Sequence, residues 1–237
     1  YDLLGLQAQR DVARLLEAFR SREDAVFEEE GVVRFGPNRV FAERFPIGID
    51  ADAFRRMASD STAARVRLEA GERLAIGVDR LDYTKGIPHR FQAFERLLES
   101  RDDLAGRISL LQIAPPTRSE VAAYRAIRDE TEQLAGHING RFADVDWTPI
   151  RFIHRAVPRE RIAQLFRQAA VGLVTPLADG MNLVAKEYVA AQDPEDPGVL
   201  VLSSFAGAAE QMEAALIVNR YDLDQTAAAM ATALAMG

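Results

Sequence analysis

The sequence predicts a doubly wound α/β domain, a parallel sheet covered by helices on both faces, and three observations carry that expectation. Short apolar runs of strand type alternate with longer segments of helical periodicity over most of the 237 residues. The runs are continuously apolar, as strands buried on both faces are. A hydrophobic fraction of 48% beside 27% charged residues is that of an ordinary soluble globular protein.

Taken in chain order, the opening is different from the rest. YDLLGLQ reads as a strand, QRDVARLLEAFRSRE as a helix, and VVRFGPNRVFAERFPIGI as a hairpin around Gly36, Pro37 and Asn38. The acidic stretch FEEEGVV at 27–33 reads as a solvated loop. One strand, one helix and one hairpin bury little core, so residues 1–50 are expected to be the tail of a preceding domain. The polar, helix-prone run from Asp50 to Glu72 then leads into a second domain, 51–237.

That second domain carries the alternation. Its strand candidates are LAIGV (74–78), SLLQIA (109–114), IRFIH (150–154), VGLVTP (171–176), GVLVLSS (198–204) and ALIVN (215–219). Between them lie the helical patterns IPHRFQAFERLLES, SEVAAYRAIRDETEQLAGHI, RERIAQLFRQA, NLVAKEYVAAQ and AGAAEQM, and YDLDQTAAAMATALAMG reads as a closing helix cut short. In such sheets ligands bind beyond the carboxyl ends of the strands.

Composition narrows the chemistry. The net charge of −7 argues against a nucleic-acid binder and leaves room only for a local basic pocket on an acidic body. The chain has no cysteine, which removes disulfides and thiolate chemistry and fits a cytoplasmic location. With three histidines a histidine-rich metal site is not expected, and no apolar run has membrane length.

Two stretches are built for a ligand. GVDRLDYTKGIPHRF (77–91) puts Arg80, Asp82, Lys85 and Gly86 between a strand and the first turn of a helix with Pro88 near its start. A helix N-terminus offers unpaired N–H groups and the positive end of its dipole, while Gly86 allows a tight turn and close approach. Arg80 adds a planar fork for phosphate oxygens and Lys85 a point charge, a combination suited to a diphosphate. On spacing alone, Arg80 and Lys85 could equally pair with Asp79 and Asp82 as a solvated turn.

VTPLADGMNLVAKEYVAAQD (174–193) repeats the arrangement with carboxylates added. Asp179 either caps the following helix or accepts from sugar hydroxyls, with the N–H groups of Met181, Asn182 and Leu183 beside it. Glu187, one turn after Leu183 on the same face, could take both hydroxyls of a ribose or an ordinary surface ion pair. His154 reads as a rim histidine and Trp147 as packing, and FAGAAEQM is placed to close the floor of the site. A Rossmann dehydrogenase is disfavoured because no G-x-G-x-x-G follows the first strand.

Together, GVDRLDYTKG, VGLVTPLADGMNLVAKEYVAAQD and GVLVLSSFAGAAEQM closely resemble glycosyltransferase family 20, the trehalose-6-phosphate synthases, and the likeness runs from YDLLGLQ to ALIVN. The resemblance implies a GT-B fold of two facing Rossmann-like domains, of which this chain holds the C-terminal one and the end of the N-terminal, acceptor-side one. It implies transfer of glucose, with retention, from a nucleotide diphosphate glucose (UDP- or GDP-glucose) to glucose 6-phosphate, with no cofactor and no metal. It also implies roles. Arg80 and Lys85 grip the donor diphosphate, Asp179 holds donor glucose hydroxyls beside Gly180, Met181 and Asn182, and Arg80, Lys85 and Asp179 form the catalytic set. Leu183 and Val184 lie near the phosphates, Glu187 at the ribose, Ile113 and Val157 at the nucleobase, and Arg118 at the phosphate of glucose 6-phosphate. Ala178 departs from a position that is commonly Arg. A pseudo-glycosyltransferase coupling cyclitols, or a non-catalytic nucleotide- or sugar-phosphate-binding fragment, would use the same nucleotide site. Nucleic acid and membrane are not expected partners, self-association stays open, and the chain on its own is expected to bind donor without turning it over.

Overall fold

The computed structural model describes residues 2–29, 31–60, 66–116 and 122–236. Its centre is a six-stranded parallel sheet built from β5 (Arg73–Val78), β6 (Ile108–Ile113), β7 (Ile150–Ile153), β8 (Val171–Val174), β9 (Val199–Ser203) and β10 (Leu216–Val218). The strands lie in the order β10-β9-β8-β5-β6-β7, every pair parallel. β5 thus begins two half-sheets that grow in opposite directions, and the order reverses between β5 and β8. Each expected strand is present, with its ends within a residue or two of those expected.

Helices cover both faces. On one lie α3 (Ile87–Ser100), α4 (Ala122–Phe142) and α7 (Leu223–Met236), whose apolar residues close a core with Ala75, Ile108, Leu110, Val171 and Val201. On the other, α2 (Ala51–Ser59), α5 (Arg159–Gln168) and α6 (Leu183–Ala191) close a second core over Leu74, Ile76, Leu111, Val174 and Leu202. Alternate strand residues face opposite cores, which is why the runs are apolar throughout.

The run from Asp50 to Glu72 is therefore more than a connection. Asp50 caps α2 by accepting from the Ala53 N–H at 2.8 Å, and Phe54, wholly buried, meets Phe166 of α5 at 6.3 Å between ring centroids. Phe54, Met57 and Ala58, three and four residues apart, form a stripe that outweighs the polar residues around it.

The first fifty residues make a four-stranded mixed sheet in the order β1-β4-β3-β2, with α1 (Gln9–Arg20) against it. The hairpin is as read: β3 (Val32–Phe35) and β4 (Asn38–Arg44) are antiparallel and close at Phe35 and Asn38 around Gly36 and Pro37. β1 (Leu3–Leu6) joins β4 in parallel. The reading of 27–33 as a loop needs correction, because β2 (Ala25–Glu29) is an edge strand antiparallel to β3. An edge strand tolerates an acidic side chain such as that of Glu28 in solvent.

FAGAAEQM is corrected as well. Only a single 3-10 turn, Gly207–Glu210, forms there, because its backbone is committed to a neighbouring loop rather than to a helix.

Candidate functional site

The loops that follow β5 and β8 rise side by side at the point where the strand order reverses, the place in a doubly wound sheet where a crevice opens. They are joined directly. Leu177 and Ala178 donate their N–H groups to the Thr84 carbonyl at 2.6 and 3.3 Å. Gly86 sits between them at φ 64°, and a Cβ there would meet the Thr175 carbonyl oxygen at 2.7 Å, so only glycine fits both the turn and the gap.

In the first loop, the strand ends at Val78, a 3-10 turn Tyr83–Lys85 follows, and Gly86 leads into α3 with Pro88 in its first turn. Asp82 shapes this turn by accepting from Thr84 N at 2.8 Å, Thr84 Oγ1 at 2.7 Å and the Tyr124 hydroxyl at 3.1 Å. Burial pushes the Asp82 carboxyl up, but these hydrogen bonds and the Arg80 charge outweigh it and hold it below the usual carboxylate range. Arg80 is exposed, and among the described residues it makes no side-chain hydrogen bond or ion pair. The solvated-turn pairing with Asp79 does not occur. Asp79 is buried and turns inward to Arg90 Nη1 at 2.8 Å.

In the second loop, Asp179 receives Lys85 Nζ at 2.5 Å, Met181 N at 3.3 Å and Asn182 Nδ2 at 3.1 Å. It does not cap α6. Asn182 does, accepting from Ala185 N at 3.1 Å from a left-handed φ of 73°. Such a conformation costs a non-glycine residue on the order of 1–3 kcal/mol. Met181 is buried, Gly180 is exposed, and Leu183 and Val184 are half-buried on the first turn of α6, where the leading N–H groups have no intrahelical partner. Glu187 is half-buried one turn on and accepts from Arg159 Nη2 at 2.9 Å, not from Lys186, which donates to the Ile47 carbonyl at 2.7 Å.

The segment after β9 floors this loop, as expected. Gly207 N donates to Asp179 O at 3.0 Å and Ala208 N to Met181 O at 2.7 Å, while Asp179 N donates to Phe205 O at 3.3 Å. A Cβ on Gly207 would lie 2.0 Å from the Gly180 carbonyl oxygen. The first fifty residues hold the same segment from the far side: Arg10 Nη2 donates to Phe205 O at 2.7 Å, and Gln9 N donates to a Glu210 carboxylate oxygen at 2.7 Å.

The remaining sequence candidates scatter. Ile113 is the last residue of β6 and wholly buried, its carbonyl accepting from Asp79 N at 3.1 Å. Val157 is half-buried just ahead of α5. Arg118 lies outside the described residues. His154 Nδ1 lies 2.8 Å from the Ala114 carbonyl and Trp147 Nε1 donates to Ile108 O at 3.2 Å, both structural contacts. Among the described residues no cluster of His, Cys, Asp and Glu could hold a metal ion. Sequence reasoning missed Arg90, Thr175, Tyr124, Arg159 and the capping role of Asn182.

A parallel sheet of this strand order, with two basic-and-acidic loops over its switch point, defines a Rossmann-like domain. The chain belongs to glycosyltransferase family 20, whose family model matches residues 1–237. A trehalose-6-phosphate synthase of Sodalis glossinidius is 45% identical over all of this chain and 51% of its own length. A UDP-forming alpha,alpha-trehalose-phosphate synthase of Burkholderia xenovorans, solved in complex with glucose-6-phosphate, superposes with TM-score 0.94 at 46% identity, covering all of this chain and 54% of that one. A trehalose-6-phosphate synthase studied with bisubstrate glycomimetics of transfer with retention gives TM-score 0.95 at 43% identity, again over all of this chain and 54% of that one. The six-stranded sheet is thus the C-terminal Rossmann-like domain of a GT-B fold. The chain spans about half the length of the curated relatives it matches.

Proposed function

We propose that this chain carries the donor side of a retaining glycosyltransferase that moves glucose from UDP-glucose to glucose 6-phosphate, giving trehalose 6-phosphate. The single observation that carries the reading is the joining of Lys85 and Asp179 across the β5/β8 switch point, beside two helix starts. The UDP-forming relatives favour UDP over GDP as the donor nucleotide, and the relative bound to glucose-6-phosphate favours that acceptor.

Arg80 and Lys85 neutralise the donor diphosphate, assisted by the first N–H groups of α6 at Leu183 and Val184. Departure of the nucleoside diphosphate builds negative charge on those oxygens, and each well-placed donor contributes on the order of 3 kcal/mol to the barrier. Asp179, with Gly180, Met181 and Asn182, accepts from glucose hydroxyls. Its contact with Lys85 keeps that carboxylate aimed. Glu187, oriented by Arg159, takes the ribose hydroxyls. The nucleobase lies between the end of β6 at Ile113 and the start of α5 at Val157. Arg118 reaches the acceptor phosphate. The acceptor hydroxyl attacks from the face the nucleotide leaves, and the departing phosphate takes its proton.

Residues 1–50 belong on this reading to the acceptor-side domain and 51–237 to the donor domain. Orientation of two substrates in a closed cleft is worth about 7–11 kcal/mol, and much of that cleft comes from the acceptor-side domain. The chain on its own is therefore expected to bind UDP and form no disaccharide phosphate. Calorimetry of this chain with UDP, beside an assay of a two-domain protein containing it with UDP-glucose and glucose 6-phosphate, tests the proposal. A chain that ignores UDP, or a two-domain protein that makes no trehalose 6-phosphate, overturns it.

A further inference from the structure

Beneath the two loops lies a buried cation that the mechanism above does not use. Arg90, on the first turns of α3, is wholly buried, and its guanidinium makes three hydrogen bonds, one to a residue of β6 and one each to the residues that directly follow β5 and β8. Nη1 donates to Asp79 Oδ2 at 2.8 Å at the end of β5 and to Gln112 Oε1 at 2.7 Å on β6, and Nε donates to Thr175 Oγ1 at 3.0 Å just past β8. Gly77 of β5 is what makes room: a Cβ there would stand 2.4 Å from both Arg90 Nη1 and Gln112 Oε1.

The position of this cluster matters more than its strength. Asp79 is the residue before Arg80, and Thr175 opens the loop that ends in Asp179. Arg90 itself belongs to the helix whose N-cap is Gly86. The backbone bonds above it are few, Leu177 N and Ala178 N to Thr84 O, and the β5/β8 ladder has run out below at Ile76 and Gly172. At the switch point the two strands part, and no ladder continues to fix how far apart their loops stand. A lysine could not replace this joint, since a point charge on a flexible stem cannot reach three acceptors in a fixed plane.

We infer that Arg90 is a positioning residue which holds the loops after β5 and β8 in register across the switch point, so that Lys85 meets Asp179. The inference rests on the donor-site reading for its functional consequence but not for the register itself. It assigns no contact with substrate to Arg90, which is sealed from the crevice.

The test uses this chain and three variants, Arg90→Lys, Thr175→Val and Thr175→Ser, with two readouts. Amide hydrogen exchange without ligand follows the Lys85, Leu177 and Ala178 N–H groups, with Leu110 of β6 as the internal reference for global opening. Calorimetry follows UDP. Arg90→Lys and Thr175→Val are expected to speed exchange in both loops together, by about tenfold or more relative to Leu110, and to weaken UDP by a similar factor. Thr175→Ser, which keeps the hydroxyl, is expected to behave as the parent on both counts. Should Arg90→Lys fail to fold, Thr175→Val carries the test, because it keeps the branched shape and removes the hydroxyl that accepts from Arg90 Nε.

Exchange that stays unchanged in the loops, or rises equally at Leu110, overturns the inference. So does faster loop exchange with UDP affinity intact, or a Thr175→Ser variant as impaired as Thr175→Val. A parent chain that does not bind UDP overturns the donor-site reading instead, and the loop exchange then decides Arg90 by itself.

Discussion

Lys85 and Asp179, separated by 94 residues in the chain, meet at 2.5 Å, and each side chain keeps 16% of its surface exposed. Neither is locked away, so on the donor-site reading an incoming diphosphate would compete with the Asp179 carboxylate for the same ammonium. Because both side chains still reach solvent, the pair is worth less to folding than a fully buried one, whose loss on one side costs about 3–5 kcal/mol. Lys85→Ala, like Arg80→Ala, is therefore expected to leave the melting temperature within a few degrees of the parent while lowering UDP affinity about tenfold or more. Calorimetry and thermal denaturation on the same samples check this. Lost stability with intact binding would return both residues to a structural turn.

Glu187→Gln keeps the shape and helix propensity of the side chain but removes its charge, so nucleotide affinity is expected to fall by roughly 1–3 kcal/mol. A 2′-deoxyuridine nucleotide is expected to bind the parent and the variant about equally. If the variant keeps the parent's full preference for the ribose form, Glu187 does not hold the ribose.

Two neighbouring glycines separate space from sequence. Gly207→Ala drives a methyl into the Gly180 carbonyl, and backbone cannot give way there, whereas a Cβ on Gly180 meets nothing within 4 Å. Gly207→Ala is expected to cost about 1–3 kcal/mol or more and to displace the Asp179 loop. Gly180→Ala is expected to fold like the parent. Chemical denaturation of the pair decides it.

Asp79→Asn leaves the buried Arg90 cation without its counter-charge. Breaking a buried pair on one side costs about 3–5 kcal/mol, far more than loss of any exposed pair in the molecule. The expected outcome is a large fall in the urea midpoint at neutral pH, and a shift smaller than about 1 kcal/mol would show that water reaches Arg90.

Acid titration gives a further check through Asp82. Its carboxyl titrates below the ordinary range, so its contribution to stability is complete above about pH 4 and is lost as pH falls through the lower folded-state value. The difference in stability between the parent and Asp82→Asn should therefore be constant from pH 7 to about pH 4 and shrink below it. A difference that shrinks well above that range would assign the acid sensitivity to another group.

The sheet was legible because its strands are apolar on both faces, and the strand-end loops because Gly86 and the DGMN run interrupt that pattern where a ligand would sit. What escaped had physical causes. Arg90 falls on the Ile87, Phe94 and Leu97 stripe of α3, the side that faces the core, and an arginine there was a signal of a buried polar joint. Its partners come from β6 and from the ends of β5 and β8, a juxtaposition that only the folded sheet creates. Phe54, Met57 and Ala58 marked α2 as a packed helix, yet the charged residues between them gave the run the look of a connector. Asp179 seemed the natural cap for α6, and only the left-handed turn at Asn182 passes that duty three residues on. The pairing of Ala25–Glu29 as an edge strand depended on a partner, β3, whose own role was read from the hairpin alone.

Arg10 and Glu210 place the seam between the first fifty residues and the parallel sheet on the 204–210 segment, the same one whose amides brace Asp179 and Met181. On the donor-site reading, one short piece of backbone would be shared by two equilibria, the seating of α1 and the occupation of the crevice. Linked equilibria are reciprocal: whatever factor a bound nucleotide applies to the seating of α1, the seating of α1 applies to the nucleotide. Opening and closing of the two lobes would then be felt at the donor as a change in affinity, carried by a floor that belongs to both.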